Sequence, residues 1–346
     1  MVKATIQDVA DRAGVSIKTV SRVINNEANV RDVTLGKVQR AIEELDYQPN
    51  LSARSLAGTR SFRLGLLYDN HSASYLVNIQ NGALRTSGAK GYDLVIQPCD
   101  FSDPQLVASI ESMVRNKPVD GLILTPPLSD MSALLESLDK LGIPFALIAP
   151  ADRANEYRSV FTNDREACAE MTRLLASMGH RRIGFLIGDP NHGAVADRYV
   201  GYREGLKSAG LKLDRKLVAQ GYNTFASGVK GAQRLLARDD RPTAIFASND
   251  DMAAGVMRVA HEMGLAIPGD LSVAGFDDIP MASQVWPSLT TIHQPMGKMA
   301  ERATSLLLAQ LRGKGEVDER QLDDPHRVVS PMVIRESTGP CPGEPA

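Results

Sequence analysis

Apolar and polar positions along most of the chain follow the alternation of an α/β protein. From residue 62 onward, short apolar runs rich in β-branched residues are separated by segments with helical periodicity. Such runs predict buried parallel strands joined by helices, in two successive groups that form two doubly wound lobes. The predicted strands are residues 63–68, 92–97, 119–125, 144–148, 182–187, 217–221, 243–247 and 271–276.

The first sixty residues have a different pattern, made of short amphipathic segments. Thr5 lies three positions before an acid, which is the spacing of a helix start, and this helix runs to about Arg12. Gly14 can take the positive φ of a tight turn, and Ser16 can cap a second helix over residues 17–25. Two short helices joined by such a turn form a helix-turn-helix.

The second predicted helix has two distinct faces. The inward positions are Val20, Val23 and Ile24, and the outward positions are Ile17, Lys18, Ser21, Arg22 and Asn25. Basic, amide and hydroxyl groups can reach base edges in DNA, and a branched apolar side chain can pack on a thymine methyl group. Any solvent-facing helix carries similar residues, so this pattern alone leaves a DNA-reading face and an ordinary surface both open.

A third helix and a short linker follow. The helix is predicted from a cap near Thr34 and ends before Pro49. Its positions facing a small three-helix core are Val38, Ile42 and Leu45. Residues 50–58 begin with an Asn cap and end with a Gly stop, but they are too few for a stable isolated helix. They predict a linker that folds only when something supports it.

Composition and charge restrict the class of protein. The chain has 346 residues and a net charge of -2, and no apolar stretch is long enough for a bilayer. The first sixty residues contain nine basic and seven acidic residues, so they carry +2 and leave -4 for the remainder. Since the N-terminus lacks the apolar core of a secretory signal, we expect a cytoplasmic protein. Cys99, Cys168 and Cys341 are too far apart to predict a disulfide framework or a zinc site.

Polar residues at the ends of predicted strands are the candidates for ligand contact. Ligands of doubly wound sheets bind outside the carboxyl ends of the strands, here between the two lobes. The candidates are Asp69, Ser74 and Tyr75 after the first strand, and Arg198, Asn249 and Asp277 in the second group. Asn249 can equally cap the next helix, and Asp250 and Asp278 are better explained as structural residues. Trp286 can pack at the lobe hinge or touch a ligand.

Enzyme motifs do not occur in this sequence. It has no G-x-S-x-G, no phosphate loop, no G-x-G-x-x-G after a strand and no H-E-x-x-H. No cofactor or catalytic residue is therefore predicted. Two alternatives stay open: a metal-dependent sugar enzyme, in which Asp250-Asp251 and Asp277-Asp278 hold a divalent cation, and a free solute-binding protein.

Residues 5–25, together with 47–50 and 53–56, closely resemble the LacI/GalR family of transcription regulators. The resemblance implies a helix-turn-helix headpiece and a type I periplasmic-binding-protein-like domain. It also implies that the second helix lies in the major groove and that paired hinge helices enter the minor groove, where Leu56 wedges between base pairs. The DNA-contacting residues it implies are Thr5, Ser16, Ile17, Lys18, Thr19, Ser21, Arg22, Asn25, Asn29, Thr34, Tyr47, Asn50, Ala53, Arg54 and Leu56.

The resemblance also implies partners. Arg198, Asn249 and Asp277 match the family's effector-binding residues, and Phe225 matches its stacking aromatic. We therefore expect a bacterial, nucleoid-associated repressor that binds a pseudo-palindromic DNA operator and is released by a small effector, a mono- or disaccharide. The C-terminal tail lacks leucine heptads, so a homodimer is favoured over a tetramer.

The expected domain boundaries follow from the same reading. Residues 1–49 form the headpiece, residues 50–60 the hinge, and residues 61–336 the two-lobed domain. Its first lobe comprises about 61–162 and 292–322, and its second lobe about 163–291 and 323–336. The chain thus crosses between lobes near Thr162, Ile292 and Asp323. Residues 337–346, rich in Pro and Gly, are expected to be disordered.

Overall fold

A computed structural model describes residues 4–24, 30–47, 60–70, 72–116, 118–153, 155–312, 324 and 326–343. The chain divides into two compact units, residues 1–62 and 63–346. In the described part of the chain, the helices are α1 (Ile6–Ala13), α2 (Ile17–Ile24), α3 (Asp32–Glu44), α4 (Ala73–Gly88), α5 (Leu106–Asn116), α6 (Ser132–Lys140), α7 (Asp164–Ser177), α8 (Gly193–Ser208), α9 (Phe225–Leu236), α10 (Asp250–Glu262), α11 (Pro280–Gln284) and α12 (Met296–Leu311).

The strands in the same ranges are short and mostly buried. They are β1 (Arg63–Tyr68), β2 (Asp93–Pro98), β3 (Gly121–Leu124), β4 (Phe145–Ile148), β5 (Ser159–Thr162), β6 (Ile183–Ile187), β7 (Val218–Gln220), β8 (Ala244–Ala247), β9 (Ser272–Ala274), β10 (Thr291–Ile292), β11 (Arg327–Val328) and β12 (Met332–Val333). No helix among the described residues is both long enough and apolar enough to cross a bilayer.

The first unit is a three-helix core with the predicted turn. Thr5 forms a capping box with Asp8, and Gly14 ends α1 with a φ of 66°. The Ser16 hydroxyl accepts a hydrogen bond from the Thr19 backbone N–H at 3.2 Å. The core residues come from all three helices and include Val9, Ala10, Val20, Val23 and Val38. The helix-turn-helix prediction is confirmed.

The start of α3 differs from the prediction. The helix begins at Asp32 rather than near Thr34, and Thr34 lies within its first turn. The Arg31 carbonyl accepts hydrogen bonds from the backbone N–H groups of both Thr34 and Leu35. The first turn is therefore closed by backbone alone, and the hydroxyl residue in the sequence did not mark the cap.

The second unit contains two parallel sheets. The first sheet has the strand order β11-β5-β4-β3-β1-β2, and the second has the order β7-β6-β8-β9. All eight predicted strands form, and they lie in two doubly wound lobes as predicted. The strands β5, β10, β11 and β12 were not predicted. Helices α4 and α12 pack closely because Gly82 leaves room, since a Cβ there would lie 2.1 Å from the Gly297 carbonyl oxygen.

Two predicted boundaries are wrong. The third crossing does not occur near Asp323, because β11 still pairs with β5 in the first sheet. The chain crosses after Val328, and β12 then pairs antiparallel with β10. The expected disorder from residue 337 is also wrong as far as Gly343, because this stretch is held in the second lobe. Ser337 is fully buried, and its hydroxyl donates to the Val273 carbonyl at 2.6 Å.

Candidate functional sites

The outward face of α2 is polar and basic, with one apolar side chain. Ile17 is 43% exposed. Lys18 and Arg22 are exposed, whereas Thr19 and Ser21 are half-buried. Thr5 and Ser16 are exposed at the starts of α1 and α2. This surface therefore presents the donor, acceptor and methyl groups that base edges in a DNA groove can engage.

Two other predicted DNA contacts, Thr34 and Tyr47, do not lie on the exposed face of α2. Tyr47 is only 9% exposed and packs in the three-helix core, and Thr34 is half-buried in α3. The predicted contacts Asn25, Asn29, Asn50, Ala53, Arg54 and Leu56 lie outside the described residues.

A cavity of about 570 Å³ lies between the two lobes of the second unit. Its walls come from the ends of strands in both sheets, as expected for doubly wound lobes. Of the predicted ligand residues, the cavity is lined by Asp69, Tyr75, Arg198, Asn249 and Asp277. Its volume is ordinary for a site that encloses a small molecule.

Arg198 lies on α8 and lines the cavity. Its Nε donates to Asp164 Oδ2 at 2.8 Å, and Nη1 donates to the Ser248 carbonyl at 2.6 Å. The guanidinium also stacks 3.6 Å from the centre of the Phe276 ring. With 6% of its surface exposed, Arg198 is almost fully buried.

Asp277 stands beside Arg198, with Oδ1 3.6 Å from Nη1. It has a positive φ of 111°, and this strained backbone is held by hydrogen bonds to the crossing segment at Ile292 and Gln294. With its amide oxygen toward Arg198, Gln294 accepts from that residue at 3.3 Å and donates to Asp277 at 3.2 Å. Burial raises the pKa of Asp277 to about 7, although Arg198 acts to lower it.

Asn249 caps a helix, and it also lies in the wall of the cavity. Its Oδ1 caps α10 by accepting from the Met252 N–H at 3.0 Å, and its Nδ2 donates to the Asn223 carbonyl at 3.0 Å. The same residue lines the cavity, so it both begins the helix and forms part of the cavity wall.

Asp250 and Asp278 are structural, as the sequence favoured. Asp250 is fully buried and accepts from Thr291 Oγ1 at 2.6 Å and from the Ile279 N–H at 2.9 Å. Burial raises its pKa well above the usual value. Asp278 pairs with Arg335 at 2.7 Å. Within the described residues, no group of three or more His, Cys, Asp or Glu side chains is arranged to hold a metal ion.

Comparison with known proteins settles the family. Residues 5–50 match the model of bacterial regulatory proteins of the lacI family, and residues 172–338 match a periplasmic binding protein-like domain. The chain is 37% identical over 319 residues to the HTH-type transcriptional repressor PurR of Pectobacterium atrosepticum, covering 90% of this chain and 92% of that protein. The chain belongs to the LacI family. It is a DNA-binding transcription regulator with a separate effector-binding unit.

Two solved structures of transcription regulators have a similar fold. A complex of the transcriptional regulator CelR with cellobiose has a TM-score of 0.71 and 29% identity, covering 96% of this chain and 99% of that chain. The lac repressor dimer bound to operator and the anti-inducer ONPF has a TM-score of 0.75 and 27% identity, covering 98% of this chain and 100% of that chain.

Two predicted effector residues of this LacI-family protein do not line the cavity. Ser74 is half-buried on α4, where its carbonyl accepts from Asn78 Nδ2. Phe225 begins α9 and is 39% exposed. In the loop just before α9, Tyr222 is the aromatic residue that lines the cavity. Since Thr224 caps α9, Phe225 belongs to the helix and Tyr222 belongs to the loop at the cavity wall.

Sequence reasoning missed several other lining residues. Cys99, Asp100 and Phe101 follow β2, so the rule that selected Asp69 after β1 would also have selected them. The Phe101 N–H donates to Asp69 Oδ2 at 2.8 Å, so the two loops are joined. Gln294 had no such signal, because it lies on a crossing segment. Trp286 is 87% exposed and is not a lining residue.

Proposed function

We propose that this regulator is a repressor that binds a pseudo-palindromic operator as a homodimer and releases it when a sugar enters the inter-lobe cavity. The observation that carries the proposal is the polar cluster of Arg198, Asp277 and Asn249 in a cavity of about 570 Å³. Carboxylate, amide and guanidinium groups beside aromatic rings suit the hydroxyl groups and the apolar face of a sugar. The cellobiose complex of CelR supports this ligand class by similarity.

We assign DNA reading to the exposed face of α2. Ile17, Lys18 and Arg22 are its most exposed large side chains, and they suit base edges and a thymine methyl group. The protein then acts in the cytoplasm on the DNA of the nucleoid. The hinge contacts expected from Ala53 to Leu56, with Leu56 wedged between base pairs, belong to the same proposal.

The test of DNA reading is selection of operator sequences from a random palindrome library, followed by fluorescence anisotropy at a stated salt concentration. Lys18→Ala should weaken binding to the selected site about tenfold or more. Lys37→Ala is the matched control, because it removes the same charge from an exposed position on α3. If the full chain prefers no palindrome over bulk DNA, with and without sugars, the proposed function is wrong.

A further inference from the structure

The charge of the cavity wall is strongly one-sided. Four of the described lining residues are carboxylic acids, namely Asp69, Asp100, Asp189 and Asp277. Among the same described residues, only Arg198 carries a permanent positive charge, since no lysine lines the wall. A ligand entering this cavity therefore meets a surface with an excess of negative charge.

The guanidinium of Arg198 is already paired, so it has little unbalanced positive charge with which to bind an anion. Its Nε is bonded to Asp164, which is itself 2% exposed, and its Nη1 lies 3.6 Å from Asp277. Nη1 also donates to the Ser248 carbonyl. The Asp164 carboxylate, the Ser248 carbonyl and, in its ionised form, Asp277 thus match the guanidinium before a ligand arrives.

Helix N-termini, which often bind anions, are partly satisfied by side chains of this chain. Four helices begin at the cavity wall, and each has a first-turn N–H taken by a side chain of this chain. Asn249 caps α10, Thr224 caps α9, and Ser72 caps α4. On α8, the Gly193 N–H donates to Asp130 Oδ2 at 3.3 Å. One first-turn N–H at each of these four N-termini is therefore already bonded and is not free to hold a phosphate group.

From these contacts we infer that the effector is a polyhydroxylated ring without a phosphate or carboxylate group, and that the cavity discriminates against the anionic derivatives of the same ring. This inference deepens the proposed sugar-binding function and rests on it. Hydroxyl groups can donate to Asp69 and Asp277 and accept from Asn249. The charged side chains that an added anionic group meets on the described wall are four acids and one arginine already paired with carboxylates. An amino group in place of a hydroxyl is tolerated, because its charge is opposite to that of the wall.

The first experiment is a thermal-shift panel on the full chain, built from matched derivatives of the same rings. The probes are glucose, galactose, ribose and cellobiose, the amino sugars glucosamine and galactosamine, and the anions glucose 6-phosphate, ribose 5-phosphate, glucuronate and inorganic phosphate. Stabilisation should occur with one or more neutral or amino sugars and with none of the anions. The inference is overturned if an anion gives the largest shift, or if no neutral or amino sugar gives any.

A second experiment separates charge from shape. Asp100→Asn with Asp189→Asn keeps the side-chain acceptors that bond the N–H groups of Ser102 and Asn191. This pair of changes should raise the affinity for the phosphate derivative of the best neutral sugar, relative to the affinity for the neutral sugar itself, about fivefold at low salt. Unchanged rejection of the phosphate derivative would overturn the electrostatic inference.

The control variant is Asp93→Asn with Asp239→Asn, which removes two charges from exposed positions that do not line the cavity. It should leave both affinities unchanged. Operator binding is measured separately on every variant. If the unmodified chain shows no preference for a palindrome over bulk DNA, the proposed function is wrong. If it binds an operator normally but binds an anion best, only the proposed ligand class is wrong.

Discussion

The Asp130 carboxylate in the first lobe accepts a hydrogen bond from the backbone N–H of Gly193, where α8 begins in the second lobe. The same carboxylate accepts from the Ala151 N–H at 2.6 Å, so it bridges two segments at the rim of the cavity. An acid at a helix N-terminus is stabilised by the helix dipole, and here the acid comes from the opposite lobe. The contact therefore favours closed lobes.

Gly193→Ala should hold the lobes apart. A Cβ at this position would lie 2.4 Å from the Ala151 Cβ and 2.7 Å from the Ala151 nitrogen, so the rim contact cannot form as it does in this structure. We expect a larger radius of gyration by small-angle X-ray scattering and about tenfold weaker binding of a sugar identified by the panel, which corresponds to about 1.4 kcal/mol. Gly88→Ala is the control, because its Cβ would have open space. Equal radii of gyration for the two variants would show that the contact between Asp130 and Gly193 does not hold the lobes together.

Removing Arg198 should destabilise the second unit strongly. Arg198→Ala leaves Asp164 buried without its cation, and loss of one partner of a buried pair costs about 3–5 kcal/mol. Arg198→Ala combined with Asp164→Asn should lose less, because no buried charge is left alone. Urea denaturation of both variants measures the difference. Arg165→Ala breaks an exposed pair with Glu204 on the same helices and should change stability far less. A single variant as stable as the double variant would contradict this account.

Asp277 should make stability fall as the pH rises through the acidic range. Its pKa is raised from 3.8 to about 7, so between these values the folded chain holds a proton that the unfolded chain has lost. Asp277→Asn cannot titrate, so its free energy of unfolding should rise relative to the unmodified chain from about pH 4 to about pH 7. The slope of that difference is at most about 1.4 kcal/mol per pH unit. Above about pH 7 the two curves should run parallel. Parallel curves across the whole pH range would show that folding does not raise the pKa of Asp277.

Deletion of residues 337–346 should destabilise the second lobe. His180 is fully buried, and its Nε2 lies 3.1 Å from the Gly339 carbonyl and 3.0 Å from Ser272 Oγ. Ser337 and Gly339 also bond backbone or hydroxyl groups of β9. Loss of several buried hydrogen bonds should cost about 3 kcal/mol or more, seen as a lower denaturation midpoint. Deletion of residues 344–346 alone is the control. Equal midpoints for the two deletions would contradict a structural role.

The sequence predicted long elements well because their signals are local. A run such as Ile183–Ile187 has enough β-branched and apolar residues to be recognised alone, and Gly14 marks its turn by its own conformational freedom. Strands such as β11, of two residues, form only because a distant strand pairs with them. The site divides in the same way. Asp69 and Asp277 follow strands, whereas the choice of Tyr222 over Phe225 depends on where α9 begins.

The pairing of β11 with β5 bears on the order in which the protein can be made. Thr162 is synthesised long before its partner Val328, so the outer side of β5 stays unpaired until nearly the whole chain has been synthesised. The first lobe therefore begins early and is completed among the last parts of the molecule. A transcript broken before the codon for Arg327 would yield a chain in which one side of β5 is unpaired and prone to aggregation, rather than a shorter working regulator.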